Sequence, residues 1–249
     1  MRLCVDFLEE GVQRLLEGSP STAPSAPCVA PANDVTGADG AVLARPPREL
    51  AALLSRYCDE IELFNPAYGL TAAKSRQELI IKHILDSLAP LNIIRRLIAE
   101  DSIPPCIADV GSGAGLPGIP LALALPGVSF SLIERMGRRV GFLRNTAAVL
   151  PLPNVEILET EMEKAPPATA GVVCFRAFHP LTPKILKKLF RLLKPNACIA
   201  AYKGRREAID AEMSPLLPVL AQQNAKWSIV PCPVPFLEDE RNLVLIRRL

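Results

Sequence analysis

The sequence predicts an α/β fold: a seven-stranded, mostly parallel sheet with helices on both faces, preceded by an N-terminal helical extension. Three observations lead there. After Pro105, short apolar runs alternate with helical patterns, which is how a parallel sheet covered on both sides reads in sequence. A glycine-rich loop follows directly on the first of those runs, at the strand end where open sheets hold ligands. The first hundred residues show helical periodicity and one proline-rich stretch instead.

The elements follow in order. Residues 2–17 read as a helix, with Leu3, Phe7, Leu8 and Leu15 at helical spacing. From Gly18 to Pro47 there are six prolines and only Asp34, Asp39 and Arg45 charged, so about 18–47 reads as a flexible insertion with little to bury. Arg48 to Ile61 forms a second helix with Leu50, Leu53, Leu54, Tyr57 and Ile61 on one face; Asn65-Pro66 breaks it and a turn-rich FNPAYGLTA follows. A third helix spans about Arg76 to Leu88 and stops before Pro90. The extension therefore covers 1–100 and the sheet domain 101–249.

Seven runs suit buried strands: Cys106–Val110, Val128–Ile133, Val155–Leu158, Val172–Phe175, Ala197–Ala201, Trp227–Val230 and Leu243–Ile246. Helices are expected at Leu116–Leu125, Arg138–Leu150, Thr182–Leu193 and Arg206–Gln223, and the last two strands should form an antiparallel hairpin.

Composition narrows the class. With 49% apolar and 22% charged residues the 249-residue chain is that of a globular protein with a core, and a net charge of +2 excludes a histone-like tail. Seven cysteines never closer than 24 residues, with only His83 and His179, assemble neither a zinc site nor a disulfide framework, and read as reduced thiols of a cytoplasmic protein. Asp6, Glu9 and Glu10 interrupt what a signal peptide would need. Val110 to Ile133 is uncharged over 24 residues, but its glycines and prolines deny a continuous membrane helix.

The informative segment is Asp109-Val-Gly111-Ser-Gly113-Ala-Gly115-Leu116-Pro-Gly118. Gly113-Ala-Gly115-Leu-Pro-Gly118 spells a G-x-G-x-x-G, and Glu134 lies 21 residues past Gly113, as a nicotinamide dinucleotide site requires. Glu134 also lies 23 past Gly111, which suits a loop opening at Asp109 for S-adenosylmethionine. Either way the carboxylate accepts ribose hydroxyls. Charge favours S-adenosylmethionine: Asp109 at the mouth of the loop repels a pyrophosphate and suits a methionine amino group. Pro117 and Pro120 also strip the helix start of donors.

HILDSL (83–88), DVGSGAGLPGIP (109–120), RRVGFLR (138–144), RAF (176–178) and KG (203–204), in this order, make residues 48–249 resemble the RsmG (GidB) family of bacterial 16S rRNA guanine-N7 methyltransferases. The resemblance implies a Rossmann-like class I methyltransferase fold and methyl transfer to a guanine N7. It also implies cofactor contacts at Gly111, Leu116, Met162, Glu163 and Arg176. The chain departs from the family pattern at Phe64, Gly69, Glu161 and Phe175.

Guanine N7 carries an unprotonated lone pair, so its methylation requires alignment and no general base. Arg176, flanked by Phe175 and Phe178, is the expected substrate-orienting residue. His83 and Asp86 share a helix face, either contacting cofactor or RNA or fixing that helix. The Pro-Cys pairs at 105–106 and 231–232 read as buried apolar cysteines. Arg138, Arg139, Arg144 and Lys203 are candidate RNA contacts, with a solvated helical face as the alternative for the helix arginines. Residues 135–206 hold 14 Lys/Arg against four acids, +10, leaving −8 elsewhere, so near-neutrality averages two unlike parts. The expected partner is 16S rRNA or the small ribosomal subunit, met by a monomer without metal or membrane. A nicotinamide-dependent oxidoreductase and a non-catalytic ribosome-binding factor are the alternatives.

Overall fold

The computed structural model describes residues 2–17, 43–100, 102–177 and 180–248. The sheet contains β1 (Cys106–Val110), β2 (Ser129–Glu134), β3 (Val155–Glu159), β4 (Ala170–Phe175), β5 (Leu193–Lys203), β6 (Ala225–Pro231) and β7 (Asn242–Arg248). Their order is β3-β2-β1-β4-β5-β7-β6. The first five strands are parallel, and β7 slots antiparallel between β5 and β6, the expected terminal hairpin. The order reverses at β1, whose neighbours are β2 and β4, so the crevice at its carboxyl end is the place for a ligand.

Strand side chains alternate between two cores with period two. Ile107, Phe130, Val172, Cys174 and Leu243 face one way, against α1 (Arg2–Glu17), α2 (Pro47–Tyr68), α5 (Leu91–Ala99), α6 (Gly118–Ala124) and α7 (Gly137–Val149). Ala108, Val110, Val173, Phe175 and Val244 face the other way, against α8 (Pro183–Leu192), α9 (Arg206–Met213) and α10 (Leu217–Gln222). The helices of the first hundred residues are thus continuous with one face of the sheet. Phe7 of α1 also stacks on Phe236 of the β6–β7 connection, ring centroids 4.5 Å apart.

Besides the helix expected at Arg206–Gln223, which is α9, a 3-10 turn (Ser214–Leu216) and α10, four local outcomes differ from the sequence reading. Asn65-Pro66 does not break α2, which continues to Tyr68 with Pro66 in its last turn. Glu62 and Pro66 are exposed there, so water reaches the carbonyl that Pro66 cannot serve. The helix ends instead at Gly69, left-handed with φ 59°, whose N–H donates to the Asn65 carbonyl. The Asn65 side chain then brackets Thr71, its Oδ1 accepting the Thr71 N–H at 2.8 Å and its Nδ2 donating to the Thr71 carbonyl at 3.1 Å.

Second, the helix over 76–88 is α3 (Arg76–Leu79), a π-helical stretch (Ile80–Leu85) and α4 (Asp86–Leu88) in one run. Third, α5 follows Pro90 although its sequence was not singled out. Fourth, β5 begins at Leu193, directly off α8. Most of the proline-rich stretch, 18–42, lies outside the described residues, as does Phe178.

Candidate active site

β1 delivers Asp109 to the crevice, and the loop after it turns on Gly111, Gly113 and Gly115 at φ 72°, 59° and 85°. At Gly115 the left-handed backbone is compounded by crowding: a Cβ would stand 2.4 Å from the Ile119 side chain. Gly118 is equally constrained, with Leu132 at 2.4 Å and Asp109 Oδ2 at 2.7 Å from a Cβ. That close approach explains where Asp109 goes. It does not stand in the mouth of the loop; it is fully buried, its Oδ2 accepting the Gly118 N–H at 3.0 Å at the start of α6. Its Oδ1 has no hydrogen-bond partner. Burial pushes the carboxyl up to about 7.

The rest of the loop is held by polar contacts. The Gly111 and Ser112 N–H groups donate to the Ile133 carbonyl at 2.9 and 3.2 Å, and Ser112 Oγ donates to the Asp109 carbonyl at 2.9 Å. From the N-terminal helices, the buried Tyr57 hydroxyl of α2 donates to the Ala114 carbonyl. Leu116 closes the loop, 6% exposed.

Glu134, at the carboxyl end of β2, faces this loop and is 4% exposed. Its Oε2 accepts the Gly113 N–H at 3.0 Å and its Oε1 the Met136 N–H at 2.9 Å, so two backbone donors fix the carboxylate. Arg139 Nη1 lies 3.8 Å from the same Oε2. After β3, Met162 is buried and Glu163 is exposed and paired with Lys188, whose ammonium holds the Glu163 carboxyl below its ordinary range. Arg191 of α8 pins this turn by donating to the Met162 and Ala165 carbonyls at 2.8 and 2.7 Å.

Across the crevice, after β4, Arg176 is clamped by one stretch of helix. Its Nη1 donates to Asp86 Oδ2 at 2.7 Å and to the Lys82 carbonyl at 2.9 Å, and its Nη2 meets His83 Nδ1 at 3.0 Å. The second Asp86 oxygen accepts Arg241 Nε at 3.1 Å. His83 and Asp86 therefore grip an arginine from another part of the chain, and the π-helical stretch supplies Lys82 and His83 to that grip. Burial, then the Arg176 charge, pushes His83 down to about 4, so its ring is neutral and Nδ1 is an acceptor.

Beside this clamp lies a cavity of about 290 Å³, lined among others by His83, Asp86, Arg176, Tyr202, Lys203 and Arg241. Lys203 is no free surface cation: it bonds Glu212 Oε1 at 2.8 Å and sits 5.8 Å over the Phe175 ring. Cys232 lines the same cavity, and burial pushes its thiol up to about 12, so it offers no thiolate at neutral pH. Cys106, read as a buried apolar cysteine, is only half-buried where it opens β1, and its Sγ accepts the Gly171 N–H at 3.2 Å. On α7, Arg144 pairs with Glu159 at 3.0 Å and Arg138 is exposed. Among the described residues no group of three His, Cys, Asp or Glu is placed to hold a metal, and no helix is long and apolar enough to cross a membrane.

The model of the family described as rRNA small subunit methyltransferase G matches residues 50–240. The chain belongs to the rRNA small subunit methyltransferase G family. Among curated relatives, the ribosomal RNA small subunit methyltransferase G of Treponema pallidum (strain Nichols) is 40% identical, covering 82% of this chain and 87% of its own length. The protein of the same name from Treponema denticola is 37% identical, covering 80% and 87%. Among solved structures, a SAM-dependent methyltransferase from Aquifex aeolicus aligns at TM-score 0.50 and 20% identity over 76% of this chain and 98% of its own. A SAM-dependent methyltransferase from Leishmania major aligns at 0.51 and 16% over 77% and 82%. These structures bear out the Rossmann-like methyltransferase fold.

Within this family member the structure brings Asp109, Gly111, Gly113, Gly115, Leu116 and Glu134 into one wall. It sets Arg176 and Lys203 together on the cavity. Sequence reasoning passed over Arg241 and Tyr202, which line the cavity, and gave Tyr57 only a core role. Nothing local marks Arg241 for this role, since its Asp86 partner is 155 residues away.

Proposed function

We propose that this chain transfers the methyl group of S-adenosylmethionine to N7 of a guanosine in 16S rRNA. The observation that carries the reading is the division of charge across one crevice. Two carboxylates, Asp109 and Glu134, flank the glycine loop and have already taken the Gly118 and Gly113 N–H groups. A pyrophosphate would need those donors and would meet the Glu134 carboxylate, which weighs against a nicotinamide dinucleotide. A cationic cofactor fits the Glu134 carboxylate on this wall, and Asp109 Oδ1 is buried behind the loop with no hydrogen-bond partner.

The residues that would hold the cofactor are Gly111 to Leu116 along the loop, Glu134 at the ribose hydroxyls, and Met162, Glu163 and Arg176. S-adenosylmethionine supplies a methyl group on a sulfonium. The guanine N7 lone pair forms the new N–C bond as the C–S bond breaks, and no proton need move. Accordingly the chain is asked only to orient and to exclude water. Arg176 is fit for this because three acceptors hold it rigid. His83 is no general base in this arrangement, since Nδ1 is engaged by Arg176. The cavity beyond Arg176 is the acceptor side, with Lys203 and Arg241 on its walls and Arg138, Arg139 and Arg144 of α7 contacting RNA phosphates.

A ribosomal substrate implies a cytoplasmic protein, and we take the monomer as the working unit. Titration calorimetry with S-adenosylmethionine and with NAD, followed by transfer of labelled methyl to purified small-subunit rRNA, tests the reading. Binding of the first ligand only, with label in the RNA, is expected; NAD binding without S-adenosylmethionine binding would overturn it. RNA binding unaffected by Gly111→Asp, with no transfer by the unmodified chain, would favour a non-catalytic ribosome-binding factor.

A further inference from the structure

Helix α2 belongs to the N-terminal extension, yet its middle and C-terminal half reach the cofactor wall. Its Glu60 accepts Asn145 Nδ2 of α7 at 2.8 Å, and its Phe64 ring meets the Phe142 ring of α7 edge-on at 5.7 Å. These contacts fix α7, the helix that starts directly after Glu134. One to two turns earlier, Tyr57 points its hydroxyl into the glycine loop and donates to the Ala114 carbonyl. The ring is fully buried, and the hydroxyl is close enough to feel the charges of Arg176 and Asp109.

Neighbouring loop carbonyls have local donors. That of Asp109 takes Ser112 Oγ, and that of Ser112 takes the Gly115 and Leu116 N–H groups at 2.7 and 3.0 Å. Among the described residues the Ala114 carbonyl receives no backbone donor and is served by Tyr57. Without that hydroxyl a buried carbonyl would be left unpaired, and a peptide carrying it would rotate to find water or another donor. The peptide in question joins Ala114 to Gly115, between the N–H given to Glu134 and the side chain of Leu116.

We propose that Tyr57 is a positioning residue for the cofactor: its hydroxyl fixes the Ala114–Gly115 peptide, and so makes cofactor affinity depend on a helix outside the methyltransferase sheet. The proposal rests on S-adenosylmethionine being the ligand of this loop. A buried tyrosine with only a packing role would change stability when its hydroxyl is lost, while the folded protein would bind cofactor as before.

Titration calorimetry with S-adenosylmethionine alone separates the two. Tyr57→Phe keeps the ring and removes the donor, and its dissociation constant is expected to rise about tenfold, or 1.4 kcal/mol. Leu220→Val, a core change on α10 far from the loop, serves as the stability control and is expected to lower Tm with affinity unchanged within twofold. Replacing Tyr57 by 4-aminophenylalanine returns an N–H donor and should restore affinity to within threefold. It also keeps the test decisive if Tyr57→Phe folds poorly. An unchanged dissociation constant in Tyr57→Phe, an equal rise in Leu220→Val, or no rescue would each overturn the proposal. No S-adenosylmethionine binding by the unmodified chain would overturn the cofactor reading itself, and this proposal with it.

Discussion

The two walls of the crevice solve the problem of buried charge in opposite ways. On the β1–β2 side the buried groups are carboxyls, and backbone N–H groups hold them: Gly118 for Asp109, Gly113 and Met136 for Glu134. On the β4–β5 side the charges are cations, and side chains hold them: Asp86 between Arg176 and Arg241, Glu212 against Lys203. Backbone-held charge is rigid and needs glycine for the approach. Side-chain-held charge leaves room, here a cavity of about 290 Å³. The first arrangement suits a small cation that must be held in one pose, the second a polyanion approaching from solvent.

If the rigid wall depends on glycine, breaking it there has the largest effect. Gly115→Ala puts a Cβ 2.4 Å from Ile119 on a backbone at φ 85°. Strain and overpacking together should cost roughly 3 kcal/mol of stability and abolish S-adenosylmethionine binding by calorimetry. RNA association by filter binding should survive in whatever fraction folds.

On the adaptable wall, Asp86→Ala leaves two partly buried arginines without their shared carboxylate. The expected loss in urea unfolding is about 2 kcal/mol, below that of a fully buried pair because Arg241 is 27% exposed. Methyl transfer should fall about a hundredfold, the order expected for a misplaced orienting group.

A pH series sharpens the contrast further. The folded state holds the Asp109 proton to about 7, against 3.8 ordinarily, so between those values it binds more protons than the unfolded chain. Stability from this group therefore falls as pH rises through that window. His83 works in the opposite sense: at about 4 in the fold against 6.5, it contributes stability above 6.5 that is lost as pH drops toward 4. Because the two slopes oppose one another below 6.5, the unmodified chain should be nearly level there, and urea midpoints should show the Asp109 decline only above about 6.5 and its disappearance in Asp109→Asn. A decline that persists in the variant would remove Asp109 as its cause.

The smallest effect is expected at the exposed rim. Arg138→Ala should weaken RNA binding two- to threefold and reduce the salt dependence by about one unit of slope, with S-adenosylmethionine affinity unchanged.

What the sequence made legible was local. Strand ends, the glycine loop and the 21-residue step from Gly113 to Glu134 follow from short-range pattern, and they stand in register across β1 and β2. The inward turn of Asp109 was not legible, because it depends on Gly118 offering an N–H with no side chain in the way. Nor was the clamp on Arg176, whose carboxylate partner lies 90 residues away on a helix that local pattern describes equally well as packing. Pro66 misled for a related reason, since whether a proline ends a helix depends on whether solvent meets the orphaned carbonyl.

The central claim, methylation of a guanine N7 in 16S rRNA, is tested most directly by nucleoside mass spectrometry of 16S rRNA from cells with and without this chain. Loss of 7-methylguanosine in its absence, restored by the unmodified chain and not by Gly115→Ala, is the predicted result. An identical 7-methylguanosine content in both would contradict it.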